Sequence, residues 1–448
     1  PESFAVDHPA GEPVKVIATD NAEFWLQGSA IFPEQPKGFT QLQLNTSEQT
    51  KGPEAGVLSA LWVDLYRQQQ TTLLTEASIA GMNASVSPSF GIQMTFSGFT
   101  DKQPELIKRS LEALRIEPSE EEFIQAVDRF TRGLENSRFG FPVRQLFPAI
   151  RRLTQTGAFN QEDLLQAANA ATLKALSGHI EQQLSTAYVR GYRFGNYSEE
   201  DVQSLADLIA RVLPNRSGDT YTRAATYAPQ PGSTLVYQEN LPVEDLGMAY
   251  LFAAPKASIE NVAKGELLAA HLSNRAFNQL RTEEQLGYAA GGFATQLGDH
   301  PMVGFYIQTP VKAPIAMLER FDDYRAEFAS DLEALEQAEF ESIKAGVLTD
   351  LTQPPKNLGE EAGPFLIDWN RERYNFDTRT RLIAAVEQVT LDAVRDYYAE
   401  TVMTEAASRV LVQLKGTAFA DEPFAEIEGA QIVEDVSTFH QSMPVQPR

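Results

Sequence analysis

Apolar residues recur along the chain with two periods, which predict strands and helices respectively. Residues 39–45 alternate apolar and polar positions, the pattern of a half-buried strand. Leu58, Leu61 and Leu65 instead fall on one face of a helix. In chain order, the first part of the sequence predicts strand 39–45, helix 57–72, strands 79–86 and 92–99, helices near Pro104 and after Ser119, helix 161–184, strand 188–194 and helix 199–213.

After residue 213 this pattern stops, and it then resumes in the same order. Residues 214–233 are rich in Pro, Gly, Ser and Thr with little periodicity, which predicts a linker. The second part predicts strands 234–239 and 248–254, helix 258–277, strands 287–296 and 302–309, helices 313–330, 333–350 and 391–402, and strand 408–415.

The two series form an internal repeat of roughly 210–220 residues, which indicates duplicated domains rather than a solenoid. Leu73-Leu-Thr-Glu-Ala-Ser-Ile-Ala-Gly81 corresponds to Leu280-Arg-Thr-Glu-Glu-Gln-Leu-Gly-Tyr288, and each run follows a helix and leads into two strands. The predicted fold class is therefore α+β, with two tandem domains, 1–213 and 234–448, joined by the linker 214–233. Each domain is expected to be a mostly antiparallel sheet layered with helices.

Composition narrows the classes of function. The 448 residues carry a net charge of −24, which disfavours nucleic acid and anionic membranes, because phosphate recognition uses clustered Lys and Arg. With no cysteine, disulfides, thiolate metal sites and cysteine nucleophiles are excluded. The apolar stretch 247–254 is far shorter than the ~20 residues of a membrane-spanning helix. Because the first residue is Pro1, we interpret the chain as a processed product or a piece of a longer polypeptide.

Motifs that would mark an independent catalytic or metal site are absent from the sequence. The histidines have no metal-binding spacing, and we predict ordinary surface or core roles for His8, His179, His271, His300 and His440. There is no nucleophile elbow and no phosphate-binding glycine loop. An independent enzyme with its own nucleophile therefore has no motif in its favour.

Glycines and acidic runs have structural explanations. Gly287, Gly291 and Gly292 are predicted to allow strand bending and close backbone approach. Ser119 and Glu122 form a predicted capping box, and the runs at Ser119-Glu-Glu-Glu and Gly359-Glu-Glu are predicted to be helix starts with solvated faces.

One run carries a specific resemblance. Phe277-Asn-Gln-Leu-Arg-Thr-Glu-Glu-Gln-Leu-Gly-Tyr288 resembles a motif in the C-terminal half of the insulinase/pitrilysin family of zinc metallopeptidases. The similarity continues in the same order over nearly the whole chain, at Phe24-Trp25, Gly98-Phe-Thr-Asp-Lys-Gln-Pro, Phe305-Tyr-Ile-Gln-Thr and Tyr374-Asn-Phe-Asp.

The resemblance implies a half-shell of two domains related to the mitochondrial-processing-peptidase fold. In this family two such halves enclose a chamber, and the N-terminal half holds the zinc through a His-x-x-Glu-His motif that this chain lacks. The resemblance therefore implies no cofactor and no catalytic residue in this chain alone. Its expected partners are a zinc-bearing N-terminal half or subunit and a peptide substrate, with no nucleic acid and no membrane. The implied compartment is the bacterial periplasm or cytoplasm, without preference.

The resemblance further implies that Arg281 and Tyr288 bind substrate. Arg and Tyr side chains can supply donors to the carbonyls of a peptide held as an added strand. The alternative is structural: Arg281 would pair with Glu283 or Glu284, and Tyr288 would pack in a sheet.

The internal repeat indicates which of the two domains is expected to bind substrate. The corresponding positions of the first domain are Leu74 and Gly81, so only the second domain is expected to reach substrate. Where family members have a Lys-rich stretch linked to polyanion binding, only Lys356 remains, which puts such regulation in doubt. Beside the chamber-closing, peptide-binding half, the alternative function is a non-catalytic scaffold or partner subunit of the same family.

Overall fold

A computed structural model describes residues 11–48, 51–214, 216 and 220–446 of the chain. His8 and parts of the predicted linker lie outside the described residues. The first series of elements is β1 (Val14–Thr19), β2 (Ala22–Gln27), β3 (Lys37–Asn45), α1 (Pro53–Gln69), α2 (Thr71–Ile79), β4 (Met82–Ser89), β5 (Gly91–Phe99), α3 (Gln103–Glu112), α4 (Glu120–Ser137), α5 (Pro142–Thr154), α6 (Gln161–Ala170), α7 (Leu173–Thr186), β6 (Tyr188–Gly195) and α8 (Glu199–Val212).

The second series repeats this order. It consists of β7 (Thr234–Asn240), β8 (Leu246–Ala253), α9 (Ile259–Ala276), β9 (Ala289–Leu297), β10 (His300–Thr309), α10 (Pro314–Ala334), α11 (Gln337–Thr352), α12 (Leu358–Asn370), α13 (Thr378–Gln388), α14 (Leu391–Tyr398), β11 (Ser408–Lys415), β12 (Gln431–Ile432) and α15 (Val436–Ser442). None of these described helices is long and apolar enough to span a membrane.

The described residues divide into two compact units, each drawn from three stretches of sequence. Unit 1 takes its residues from Pro1–Leu134, Gln161–Ala224 and Pro354–Phe376. Unit 2 takes its residues from Glu135–Asn160, Ala225–Gln353 and Asp377–Arg448. The predicted bounds 1–213 and 234–448 follow the sequence repeat and stay a prediction; the compact units differ from them because α5 belongs to unit 2 and α12 to unit 1.

Each unit contains one six-stranded sheet, and the two sheets share a topology. The strand orders are β1-β2-β6-β3-β5-β4 and β12-β7-β11-β8-β10-β9. Pairing is antiparallel except between β2 and β6 in unit 1, and between β7 and its two neighbours in unit 2. Five strands thus correspond in order and direction, and only the edge strands β1 and β12 differ. The predicted α+β class with two similar, mostly antiparallel sheets is confirmed.

Helices cover both faces of each sheet. In unit 1, Phe24 and Leu26 of β2 face one core with α1 and α7, whereas Trp25 faces a second core that contains Trp369 of α12. In unit 2, Tyr250 of β8 faces the core with α9 and α10, whereas Leu251 faces the core that contains α5. The alternation of strand side chains therefore supplies two cores per unit.

Several local predictions were accurate and others were wrong. The Ser119–Glu122 capping box is confirmed, since the Ser119 backbone N–H lies 2.7 Å from the Glu122 carboxylate. The strand predicted from Ile79 begins at Met82, because Ile79 ends α2 and Gly81, with φ 75°, makes the turn. The single helix predicted over 161–184 is two helices, because the Thr172 side chain caps α7.

Candidate functional site

The site predicted from the sequence lies in unit 2, between α9 and β9. Helix α9 continues without a break into a π-helical turn, Phe277–Glu283. The Glu284 N–H then donates to the Gln279 carbonyl at 2.9 Å, and the Leu286 N–H donates to the Leu280 carbonyl at 3.0 Å. These wide backbone bonds satisfy the carbonyls at the helix end and lead the chain directly toward the sheet.

Close packing fixes the remainder of this turn. Gln285 has φ 53°, and the Leu286 side chain is buried. A Cβ on Gly287 would lie 1.8 Å from the Gln308 carbonyl oxygen of β10, so only glycine fits there. At Gly292 a Cβ would lie 2.2 Å from Leu272 Cγ. The predicted close approach at these glycines is confirmed, and it puts Tyr288 immediately before the edge strand β9.

The Arg281 side chain is exposed, and one N–H of its guanidinium group is engaged in a hydrogen bond. Its Nε–H donates to the Tyr288 carbonyl at 3.2 Å, and its guanidinium lies 4.8 Å from the centre of the Phe277 ring. Among the described residues it forms no ion pair. The alternative pairing with Glu284 is wrong, because Glu284 binds Arg320 at 2.6 and 2.8 Å.

Tyr288 is also free of the packing that the structural alternative required. Its side chain is 77% exposed, and its hydroxyl has no hydrogen-bond partner within the described part of the chain. The structure therefore brings the two predicted residues together through one hydrogen bond and leaves the Tyr288 hydroxyl and the terminal guanidinium nitrogens of Arg281 available.

The corresponding turn of unit 1 has no such donors. Gly81 immediately precedes β4 as Tyr288 precedes β9, and Leu74 lies half-buried on α2. The predicted correspondence of the two turns thus agrees with the shared strand order. Neither Leu74 nor Gly81 has a polar side chain that could bind a peptide.

Described histidines lie apart, in ordinary structural surroundings. The His179 ring lies 2.9 Å from the Ser59 hydroxyl, and the His300 ring lies 2.6 Å from the Ala254 carbonyl. Burial lowers the pKa of His271 and of His440. Within the described ranges, no group of three or more His, Asp or Glu side chains could hold a metal ion. These residues do not fit a zinc site, and the expectation that the chain itself binds no zinc stays a prediction.

Two other runs that carry the family resemblance pack together in unit 1. The Trp25 ring stacks on Tyr374 with centroids 5.0 Å apart and meets Phe376 edge-on at 5.3 Å. Lys15 Nζ lies 4.9 Å from both the Trp25 and the Tyr374 rings. These residues are therefore structural: they hold the segment after α12 against β2.

Glu361 corrects the prediction of a solvated face after Gly359. The residue is buried, and its carboxylate accepts hydrogen bonds from the Ser29 hydroxyl at 2.6 Å and from the backbone of Ala30 and Ile31 at 2.8 and 3.2 Å. These partners lie more than 300 positions earlier in the chain, so no local pattern indicated the contact. Lys356, near the same helix, remains exposed.

Comparison with known proteins identifies the chain's relatives. Residues 1–167 match the family described as the middle or third domain of peptidase M16, and residues 267–366 match C-terminal lobe domain 4 of PqqF-like PQQ synthases. Protease 3 of Escherichia coli is 25% identical over 442 residues, covering 98% of this chain and 45% of that protein. The chain thus spans less than half the length of the curated relatives it matches.

Solved structures of related proteins have the same fold. A crystal structure of pitrilysin has a TM-score of 0.92 and 24% identity, covering 100% of this chain and 48% of that chain. A peptidase M16 inactive domain from Pseudomonas fluorescens has a TM-score of 0.66 and 13% identity over 90% of this chain. The Phe277–Tyr288 run lies on the turn described above, and the chain is related to the M16 peptidases, whose insulinase/pitrilysin family its sequence resembles; its fold is that of pitrilysin and of an M16 inactive domain.

Proposed function

We propose that this chain closes the chamber of an insulinase-type zinc endopeptidase and binds the peptide substrate there through Arg281 and Tyr288. The zinc, which would activate the attacking water, belongs to the partner half, since the described residues of this chain supply no ligand set. The observation that carries the proposal is that two exposed side chains on one turn keep donors without a hydrogen-bond partner among the described residues: the Tyr288 hydroxyl and the terminal guanidinium nitrogens of Arg281. This chain alone is expected to be inactive.

The geometry supports different roles for the two side chains. Arg281 uses Nε to hold the Tyr288 carbonyl, which leaves four N–H donors on its terminal nitrogens for substrate carbonyls. Tyr288 has one hydroxyl, and a single donor aimed at the carbonyl oxygen stabilises the negative charge that develops there during attack. Arg281 therefore positions the peptide, and Tyr288 acts on the transition state.

Substitution in the assembled enzyme, containing this chain and the zinc-bearing half, tests the proposal. Tyr288→Phe should lower kcat/KM by on the order of 10²-fold, the scale of one lost oxyanion donor. Arg281→Ala should lower it as well, with part of the loss in KM. Because both side chains are exposed, thermal stability should hardly change. The control is Ile79→Ala, which alters a side chain 83% exposed at the corresponding turn of unit 1 and should leave activity unchanged.

A second candidate function is a scaffold or partner subunit that never touches substrate. It is favoured by the likeness to the inactive domain from Pseudomonas fluorescens, of which the match covers 98%. Full activity in a well-folded Arg281→Ala, Tyr288→Phe double variant would contradict peptide binding by this pair and select the scaffold function.

A further inference from the structure

A polar pocket of unit 2 lies against the same π-helical turn that carries Arg281. It has a volume of about 350 Å³ and is lined by residues of that turn, of α9 and of α10, among them Arg275, Asn278, Glu283, Tyr324, Phe328 and Asp331. Arg281 does not line it. The size is in the range of small-ligand sites.

A buried hydroxyl of the pocket has no partner. Tyr324 is 1% exposed, and its hydroxyl forms no hydrogen bond with any described residue. The charged groups that act on this hydroxyl are Asp331, Arg275, Arg320 and Glu327. A buried polar atom without a partner costs free energy, so a ligand that supplies a donor at this position would remove that cost.

The charges around the pocket do not cancel. Asp331 pairs with Arg275 at 3.1 Å, and Arg320 is shared between Glu284 and Glu327 at 2.6 and 2.9 Å. Glu283 forms no ion pair with a described residue. The lining itself carries three carboxylates, of Glu283, Glu327 and Asp331, and one guanidinium group, that of Arg275. Burial lowers the pKa of the nearby His271, which disfavours its charged form. Two negative charges remain beside the rings of Tyr324 and Phe328.

We propose that this pocket binds an organic cation, an alkylammonium or guanidinium group. Its N–H groups would donate to the free Glu283 carboxylate and to the Tyr324 hydroxyl, and its charge would lie against the Phe328 ring. Asn278, whose side chain is unengaged among described residues, offers a further acceptor. The site is independent of the function proposed above.

Two sources of such a group can be told apart by titration calorimetry of the whole chain. The probes are agmatine, a small free amine that carries an ammonium and a guanidinium group, and the peptide acetyl-Ala-Lys-Ala-amide, with its norleucine analogue as the uncharged control. Binding of agmatine supports a site for free amines; binding of the lysine peptide but not its analogue supports a site for basic side chains of peptides. No binding of either cation overturns the proposal.

Variants locate the binding within the pocket. Glu283→Gln and Tyr324→Phe should each weaken the affinity, and Glu283→Gln by about tenfold or more, since a charge-assisted hydrogen bond is lost. Glu387→Gln removes the same charge from an exposed position on α13 outside the pocket, and the affinity should not change. Equal weakening by Glu387→Gln would show attraction to the acidic surface alone and would overturn the site. Tyr288→Phe should leave this affinity intact, which separates the two proposals.

Discussion

The turn before β4 in unit 1 and the turn before β9 in unit 2 occupy the same place in two sheets of the same strand order. The unit 1 turn ends α2 with an exposed Ile79 and a Gly81 at positive φ, and no donor reaches solvent from its two key positions. The unit 2 turn presents Arg281 and Tyr288. The shared topology is therefore indifferent to this choice of side chains, and function has to be argued from the turn rather than from the fold.

The two turns also differ in where their backbones pack closely against the neighbouring strand. Gly287 sits against the Gln308 carbonyl, whereas its counterpart in unit 1 is Ala80, an exposed residue. Unit 2 thus holds its turn against β10 at Gly287 itself, whereas in unit 1 the glycine at the close approach is Gly98 of β5, where a Cβ would lie 2.3 Å from the Gly81 carbonyl oxygen. A rigid support is what a binding pair requires to keep its geometry.

The largest effect on the two units is expected from cutting the chain into pieces 1–224 and 225–448. The first piece loses α12 and uncovers the core around Trp25 and Tyr192, and the second loses α5 and uncovers Leu251. Neither piece should fold natively alone, and mixing should restore both units. The second piece contains only Trp369, so a blue shift of its fluorescence on mixing reports docking of α12 onto unit 1. Cooperative unfolding of either piece alone, at the denaturant midpoint of the whole chain, would contradict this expectation.

A smaller effect is expected from Gly287→Ala. The added methyl would lie 1.8 Å from the Gln308 carbonyl, so β10 or the turn must shift, at a cost of about 3 kcal/mol in the free energy of unfolding. Ala80→Gly at the corresponding position should cost less than about 1 kcal/mol. Denaturant unfolding followed by far-UV circular dichroism compares the two. Equal stability of both variants would show that Gly287 is no more closely packed than Ala80.

The smallest effect concerns acid stability. Burial lowers the pKa of His179 in unit 1 to about 4, so the unfolded chain binds the proton more readily. Unit 1 should lose about 2 kcal/mol as the pH falls from the ordinary histidine pKa of about 6.5 toward 4. In unit 2, Asp331 at 3.4 Å opposes the lowering by burial at His271, so a smaller loss is expected.

Tryptophan fluorescence reports the acid destabilisation of unit 1 alone, because Trp25, Trp62 and Trp369 all belong to unit 1. Denaturant midpoints at pH 7.5 and 4.5 should differ for the parent chain and much less for His179→Gln. The same pH dependence in both would remove His179 as its cause.

Much of the fold could be predicted from local patterns, and what was missed has physical reasons. Alternating strands and the repeat gave the two sheets, whereas α5 was not predicted and only the beginning of α12 was. Both helices contain an internal proline, Pro148 and Pro364. An internal proline disfavours the prediction of a helix from sequence. Nothing local specifies which sheet an amphipathic helix covers, so the exchange of α5 and α12 between the series was not foreseen.

The candidate site was predicted in identity but not in geometry. The resemblance pointed to Arg281 and Tyr288, while the hydrogen bond between them depends on a π-helical turn that periodicity does not distinguish from an α-helix. The burial of Glu361 was not predicted, because its carboxylate binds Ser29 in a distant part of the chain. The first case depends on the local backbone conformation and the second on a long-range partner.

The late position of α12 in the gene has a consequence for synthesis. The sheet of unit 1 is complete once Gly195 has left the ribosome, but α12 ends only at Asn370. At about 5–20 residues per second, the aromatic face around Trp25 and Phe194 waits roughly 10–35 s for its cover. A nascent chain with such a face uncovered is prone to aggregate, so its yield should depend on chaperones that act at the ribosome.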